Sequence, residues 1–138
     1  MADAVNWPSE LIPDEDYLFL RVHWRRFRKS GEIGPSAFEN KPTETDGMST
    51  DWEKYSTAQE SQGRATTPSD NAIIRLNVAK IRKIPGQTVV HTPIQRGDPI
   101  CPPGNRAHTD VVGEKSPEIR TRLSRINYEL VIPPPPRS

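Results

Sequence analysis

Fifteen prolines in 138 residues constrain this chain more than any other feature. Each proline fixes its own φ and removes a backbone donor, so it ends helices and stays out of central strands. The closing run Ile132-Pro133-Pro134-Pro135-Pro136-Arg137-Ser138 is expected to adopt polyproline II. Such a tail is either a passive end or a docking peptide for an aromatic groove. Asp98-Pro99-Ile100-Cys101-Pro102-Pro103-Gly104-Asn105 reads as an extended or turning loop by the same logic.

Material for a core is scarce. Leu, Ile, Val and Phe total 28, about a fifth of the chain, a proportion that borders on disorder. Disorder by composition also calls for a large charge imbalance, and the net charge is only +1. One small domain with long irregular segments is the expected outcome. Residues 1–13 form an N-terminal extension, 14–132 a single domain and 133–138 a proline-rich tail. No run nears the roughly 18 apolar residues of a membrane span. Residues 1–8 lack the basic and apolar regions of a secretion signal. The single cysteine, Cys101, has no partner for an internal disulfide. A cytoplasmic, reduced setting is expected, without a membrane. With one cysteine and three scattered histidines (His23, His91, His108), no metal and no cofactor are expected.

Periodicity predicts the elements. Tyr17 to Trp24 alternates as a strand, with Leu18, Leu20, Val22 and Trp24 on one face and Tyr17, Phe19, Arg21 and His23 on the other. Phe38 anchors the loop that holds Pro35-Ser36-Ala37, and residues 39–49 are polar and turn-forming. Thr50-x-x-Glu53 and Thr57-x-x-Glu60 both have capping-box spacing, which predicts one or two short helices between Thr50 and Gln62. Ser61 to Ser69 reads as a mobile loop. Asn71 to Val78 is the clearest strand, followed by a helix or bend through Ile81 and Ile84. Thr88 to Ile94 and Arg106 to Gly113 are further extended runs. Ser116-Pro117-Glu118 starts a helix whose Ile119, Leu123, Ile126 and Leu130 share a stripe; its end alternatively becomes a strand over Tyr128 to Ile132. Strands and helices without regular alternation predict an α+β domain: a small mixed or antiparallel sheet with helices on one face and long irregular loops.

Chemistry has few handholds. There is no phosphate-cradling glycine loop, no H-E-x-x-H, no G-x-S-x-G and no C-x-x-C. On a strand, Arg106, His108 and Asp110 share a face, so Asp110 could orient the imidazole of His108 and Arg106 could hold an anion. The competing reading makes His108 a strand residue bonded to backbone. Arg21 holds either a ligand anion or an acidic side chain among Asp14, Glu15 and Asp16. Cys101 paired with His108 is a further conceivable nucleophile, though buried cysteines are usually inert. Trp24, Arg25, Arg26 and Arg28 mix aromatic and basic groups as a nucleic-acid surface does, or form a solvated turn. Residues 1–61 carry a net charge of −5 and 62–138 one of +6, so the two halves either pack together or leave a basic surface for a partner.

Several short runs stand in a recognisable order. They are Leu18-Phe19-Leu20-Arg21, Pro35-Ser36-Ala37-Phe38, Gly47-Met48-Ser49, the strand Ile73 to Val78, and Asn105-Arg106-Ala107-His108 followed by Val111. Over residues 17–115 the chain resembles small bacterial proteins marked by Leu-Phe-Arg-Arg, Ser-x-Ala-Phe, Leu-Ser, a strand and Pro-x-His-Ala. Two departures stand out: His108 follows Ala107 instead of preceding it, and Met48 replaces the usual Leu. The resemblance implies a bacterial, cytoplasmic protein and no particular activity. It directs attention to Arg21, Ser49 and His108, which come from three separate segments.

Three functions follow as expectations. The first is a non-enzymatic protein-interaction or accessory module of a bacterial system, such as defence or a toxin system, with a protein partner. The second is a small transferase or hydrolase for a nucleotide-like substrate, with Arg21 or Arg106 on phosphate, Ser49 on the ligand and His108 as acid or base; ADP-ribosyl chemistry is one version, by analogy. The third is a nucleic-acid-contacting accessory protein. Convergence of Arg21, Ser49 and His108 on one concave surface would favour the second.

Overall fold

Strict alternation organises the centre of the molecule. In the computed structural model, which describes residues 6–41 and 47–136, β1 (Tyr17–His23) buries Leu18, Leu20 and Val22 on one face. It pairs along its full length with β3 (Asn71–Asn77), from Tyr17 opposite Asn77 to His23 opposite Asn71. The inward residues of β3 on that same face are Ala72, Ile74 and Leu76. On its other edge β1 meets β2 (Gly47–Trp52), which pairs in turn with β5 (His108–Val112). β4 (Thr88–His91) and β6 (Glu129–Ile132) complete the ends. The order is β4-β5-β2-β1-β3-β6, and every pairing is antiparallel. The sheet is thus antiparallel rather than mixed, and the domain is α+β.

The main core lies on one face. Met48, Trp52, Val89 and Val111 join the β1 and β3 side chains there, beneath α2 (Val78–Arg82) through Val78 and Ile81 and α3 (Pro117–Ser124) through Leu123. Phe38 is wholly buried in the same cluster, the anchor expected of its loop. The start of α3 forms as its sequence requires: Pro117 opens it, and Ser116 Oγ accepts the Ile119 N–H. Its stripe ends earlier than the helical spacing implied. Leu130 belongs to β6, the alternative strand ending, which pairs with the otherwise open edge of β3.

Helices do not keep to one face. α1 (Ala58–Gly63) packs by Ala58 on Phe19 and Ile73, which alternate away from the main core. The Thr57–Glu60 capping box forms, with Thr57 Oγ1 accepting from Glu60 N–H and the Glu60 carboxylate accepting from Thr57 N–H. The Thr50–Glu53 box does not. Residues 47–52 are a strand, and Thr50 Oγ1 donates to Thr109 O of the neighbouring strand at 2.9 Å instead of capping a helix. Tertiary pairing on both edges overrides a local capping signal. The expected mobile loop also begins later, since Ser61 is a buried residue of α1.

Residues 7–12 of the expected N-terminal extension contact the rest of the fold. Trp7 and the Gln95 side chain exchange two hydrogen bonds, Ser9 Oγ donates to His91 O at 2.6 Å, and Ile12 enters the core. Pro133 to Pro136 leave β6 without regular structure, and Arg137 and Ser138 lie outside the described residues, as do 42–46 of the expected polar turn. Among the described residues, no helix is long and apolar enough to cross a membrane.

Candidate functional site

The face opposite the main core is where the polar side chains of the central strands collect. β1 supplies Arg21, β2 supplies Ser49, and β5 supplies His108 and Asp110; all four line one open cleft of about 600 Å³. Lys41, paired with Asp110, and Arg64, paired with Asp51, line it as well. The β4–β5 loop adds Ile94, Ile100 and Cys101 to the lining. Gly104 lets that loop turn back, at φ +76°, where a Cβ would lie 2.6 Å from Ile94 O. Arg21, Ser49 and His108 therefore converge, from three segments far apart in sequence.

Beneath the cleft sits Asp51, only 1% exposed. Its Oδ1 accepts from Asn105 Nδ2 at 2.8 Å and its Oδ2 from Ser61 Oγ at 2.6 Å. Arg21 Nη1 and Arg64 Nη1 both stand 3.1 Å from Oδ2. Burial pushes this carboxyl up, but the Ser61 and Asn105 hydrogen bonds and the charges of Arg21 and Arg64 outweigh it and hold the group below its usual range. Asp51 is therefore ionised, and it fixes two guanidiniums at the cleft floor. Two cations share one carboxylate, so one positive charge is left unmatched within this cluster. The expected partners of Arg21, namely Asp14, Glu15 or Asp16, are elsewhere: Asp14 pairs with Arg82 and Asp16 accepts from Trp52 Nε1.

A second polar chain runs along β5. Lys41 Nζ pairs with Asp110 Oδ1 at 2.9 Å, and Thr92 Oγ1 donates to Asp110 Oδ2 at 2.9 Å. His108 Nδ1 lies 2.9 Å from Thr92 O and 3.0 Å from Thr92 Oγ1, while Nε2 lies 3.3 Å from Ser49 Oγ. The hydroxyl proton of Thr92 is committed to Asp110, so both Thr92 oxygens face Nδ1 as acceptors. Nδ1 consequently carries the imidazole proton, and the Nε2 lone pair faces Ser49. Asp110 shares the face of His108 as expected but does not touch it; Thr92 stands between them. Gly47 makes room for this arrangement, since a Cβ there would lie 2.5 Å from Asp110 Oδ1.

Other expected site residues lie apart. Arg106 is not on the cleft: β5 begins two residues later, and the guanidinium stacks 4.0 Å from the centre of the Tyr55 ring with Glu10 3.7 Å away. The aromatic-basic cluster is spread along a 3-10 turn. Arg25 lies over the Trp24 ring, Arg26 pairs with Glu39 at 3.7 Å, and Arg28 borders separate hollows. His91 is a structural residue, accepting Glu10 N–H at Nδ1 and donating from Nε2 to Arg106 O. Cys101 stands on the cleft wall as a free thiol. Among the described residues, no group of three His, Cys, Asp or Glu is placed to hold a metal ion.

Lys41, Asp51, Arg64, Thr92 and Asn105 complete the site, and sequence reasoning did not find them. Asp51 was legible in principle: Gly47, Ser49 and Asp51 alternate with Met48, Thr50 and Trp52. Nothing local marks Lys41 or Arg64, which reach the cleft from irregular segments. No family model, curated protein or solved structure matches this chain. The reading of the site therefore rests on its own geometry.

Proposed function

We propose that the cleft binds a small anionic, nucleotide-like ligand and that the chain is a transferase or hydrolase acting on it. One observation carries this reading: Arg21 and Arg64 share a single buried carboxylate and both line the cleft, whose lining carboxylates are Asp98 and Asp110, the latter paired with Lys41. Guanidiniums preset in this way match phosphate or carboxylate oxygens at little entropic cost. The β4–β5 loop supports an amphiphilic ligand. Ile100 is 94% exposed at its lip, where an apolar ring or base would cover it. A reduced, cytoplasmic setting suits the free Cys101 beside it.

Calorimetric titration with adenosine monophosphate tests the reading. One saturable site is expected, with adenosine binding at least tenfold more weakly. Arg64→Ala is expected to weaken the nucleotide by about tenfold or more, the worth of one charge-assisted hydrogen bond. Equal affinity for adenosine and its monophosphate, or no binding at all, would overturn it.

A second reading, the protein-interaction module of a bacterial accessory or defence system, draws on a different place. Trp24, Phe27, Leu130, Pro134 and Pro135 line a smaller apolar hollow of about 240 Å³. Proline side chains beside an aromatic ring are the chemistry of peptide docking. A charged partner for the paired Arg26 is correspondingly less supported, as is nucleic acid.

A further inference from the structure

We propose that Ser49 is a nucleophile, activated by His108, that hydrolyses a carboxylic ester of the anionic ligand by way of an acyl-Ser49 intermediate. The inference rests on the ligand reading for its substrate and on separate residues for its chemistry. A serine hydroxyl becomes nucleophilic when an adjacent base takes its proton and a third group orients that base. All three parts are present. Ser49 Oγ lies 3.3 Å from His108 Nε2, a length typical of an unliganded pair that tightens around substrate. Thr92 O and Oγ1 fix the proton on Nδ1 and so the lone pair on Nε2. Thr92 Oγ1 also joins the ring to the Asp110 carboxylate, which fixes the Thr92 hydroxyl and through it the ring orientation.

The placement argues against a purely structural network. Ser49 and Asp110 are directly opposed on β2 and β5, and Asp51 is opposed to His108, so Ser49 meets His108 on the diagonal. The chain of contacts starts at Lys41 and ends at a half-buried serine on the cleft. A network serving stability alone would not need to terminate at a hydroxyl on the cleft that Arg21 and Arg64 also line. Ser49, His108 and Asp110 stand on directly paired strands, which hold side chains in place better than loops do.

The reaction balances without any redox partner. Ser49 Oγ bonds to the carbonyl carbon as its proton passes to Nε2. The carbon–oxygen bond to the leaving alcohol then breaks, and Nε2 returns the proton to that oxygen. Water next gives a proton to Nε2 and bonds to the acyl carbon. The Oγ–carbon bond breaks, and Oγ recovers the proton from Nε2. The sum is ester plus water giving acid plus alcohol. Arg21 and Arg64 hold the anionic part of the substrate and take no part in proton transfer.

The test treats the full chain with an alkyl fluorophosphonate, which bonds phosphorus to an activated serine oxygen with loss of fluoride. Intact mass and peptide mapping read the result. A single adduct on Ser49 is expected, slowed by saturating adenosine monophosphate. It should be slowed at least about 100-fold in His108→Gln, the low end of a general-base contribution. Absence of the adduct from the folded chain, an adduct elsewhere, or an unchanged rate in His108→Gln overturns the inference. Thr92→Val keeps the test decisive if His108→Gln fails to fold. Removing the hydroxyl that joins the ring to Asp110 should slow labelling of Ser49, with Thr92→Ser recovering the rate, and an unchanged rate in a folded Thr92→Val overturns the inference. Nucleotide binding without a Ser49 adduct sinks the nucleophile and spares the ligand reading. A Ser49 adduct that the nucleotide neither slows nor blocks does the reverse.

Discussion

Replacing Asp51 by Asn should cost more than any other single change at the cleft. The carboxylate accepts from Ser61 and Asn105 and faces both Arg21 and Arg64. An amide of the same shape keeps one acceptor and turns an NH₂ toward groups that also donate. Removing one partner of a buried ion pair costs roughly 3–5 kcal/mol. Both arginine side chains are 29% exposed, so water recovers part of this and the lower end applies, about 3 kcal/mol. Unfolding entropy of about 2.1 cal/mol/K per residue gives roughly 0.3 kcal/mol/K for a chain of this length, so Tm should fall by about 10 °C. Thermal unfolding followed by circular dichroism at pH 7 checks the value. The pH dependence supplies a second arm. The Asp51 carboxyl titrates below its ordinary value in the folded chain, so the unfolded chain binds the proton first as pH falls. Its stabilisation is complete above the ordinary carboxylate range of about 4 and is lost as pH drops through the folded value. Wild type should therefore lose more stability than Asp51→Asn between pH 6 and 3, roughly the acid side of that range. A Tm change below about 2 °C, or parallel acid profiles, would refute the reasoning.

Other changes have graded outcomes. Gly47→Ala places a Cβ 2.5 Å from Asp110 Oδ1 and should displace that carboxylate, costing about 1–3 kcal/mol in urea unfolding, as overpacking does. Thr57→Ala removes the capping box of α1 and should lower stability by about 1 kcal/mol, with Thr57→Ser recovering most of it. Ile100→Ser should leave urea unfolding within about 0.5 kcal/mol, since the side chain is 94% exposed, while weakening the nucleotide in calorimetry.

How much was legible in the sequence depended on whether the governing signal was local. β1 and β3 read as strands from their apolar and β-branched runs, and the structure places their alternate residues on opposite faces, with Phe19 and Ile73 buried away from the main core. Ser116-Pro117 and Thr57-x-x-Glu60 set helix starts through their own backbone groups. Thr50-x-x-Glu53 carries the same local signal and fails, because strands pair with residues 47–52 on both sides. Only the tertiary arrangement decides between the two boxes. The site divides in the same way. Arg21 and His108 were reachable from strand parity and Ser49 only through the resemblance, since its segment read as a turn, whereas Arg106 was misplaced because β5 starts at His108. Lys41 and Arg64 enter from segments without periodicity, and Asp51 was hidden by the false capping box. The cations that reach the cleft from irregular segments are thus the features a sequence shows least.

Chemical-shift mapping with adenosine monophosphate addresses the convergence of these residues on one anion site most directly. Saturable shifts at Ser49, Arg64, Thr92 and His108 amides are expected, together with movement of the Arg21 side-chain resonances and little change around Trp24 and Pro134. Shifts confined to the Trp24 hollow, or none at ligand concentrations that saturate comparable sites, would contradict it.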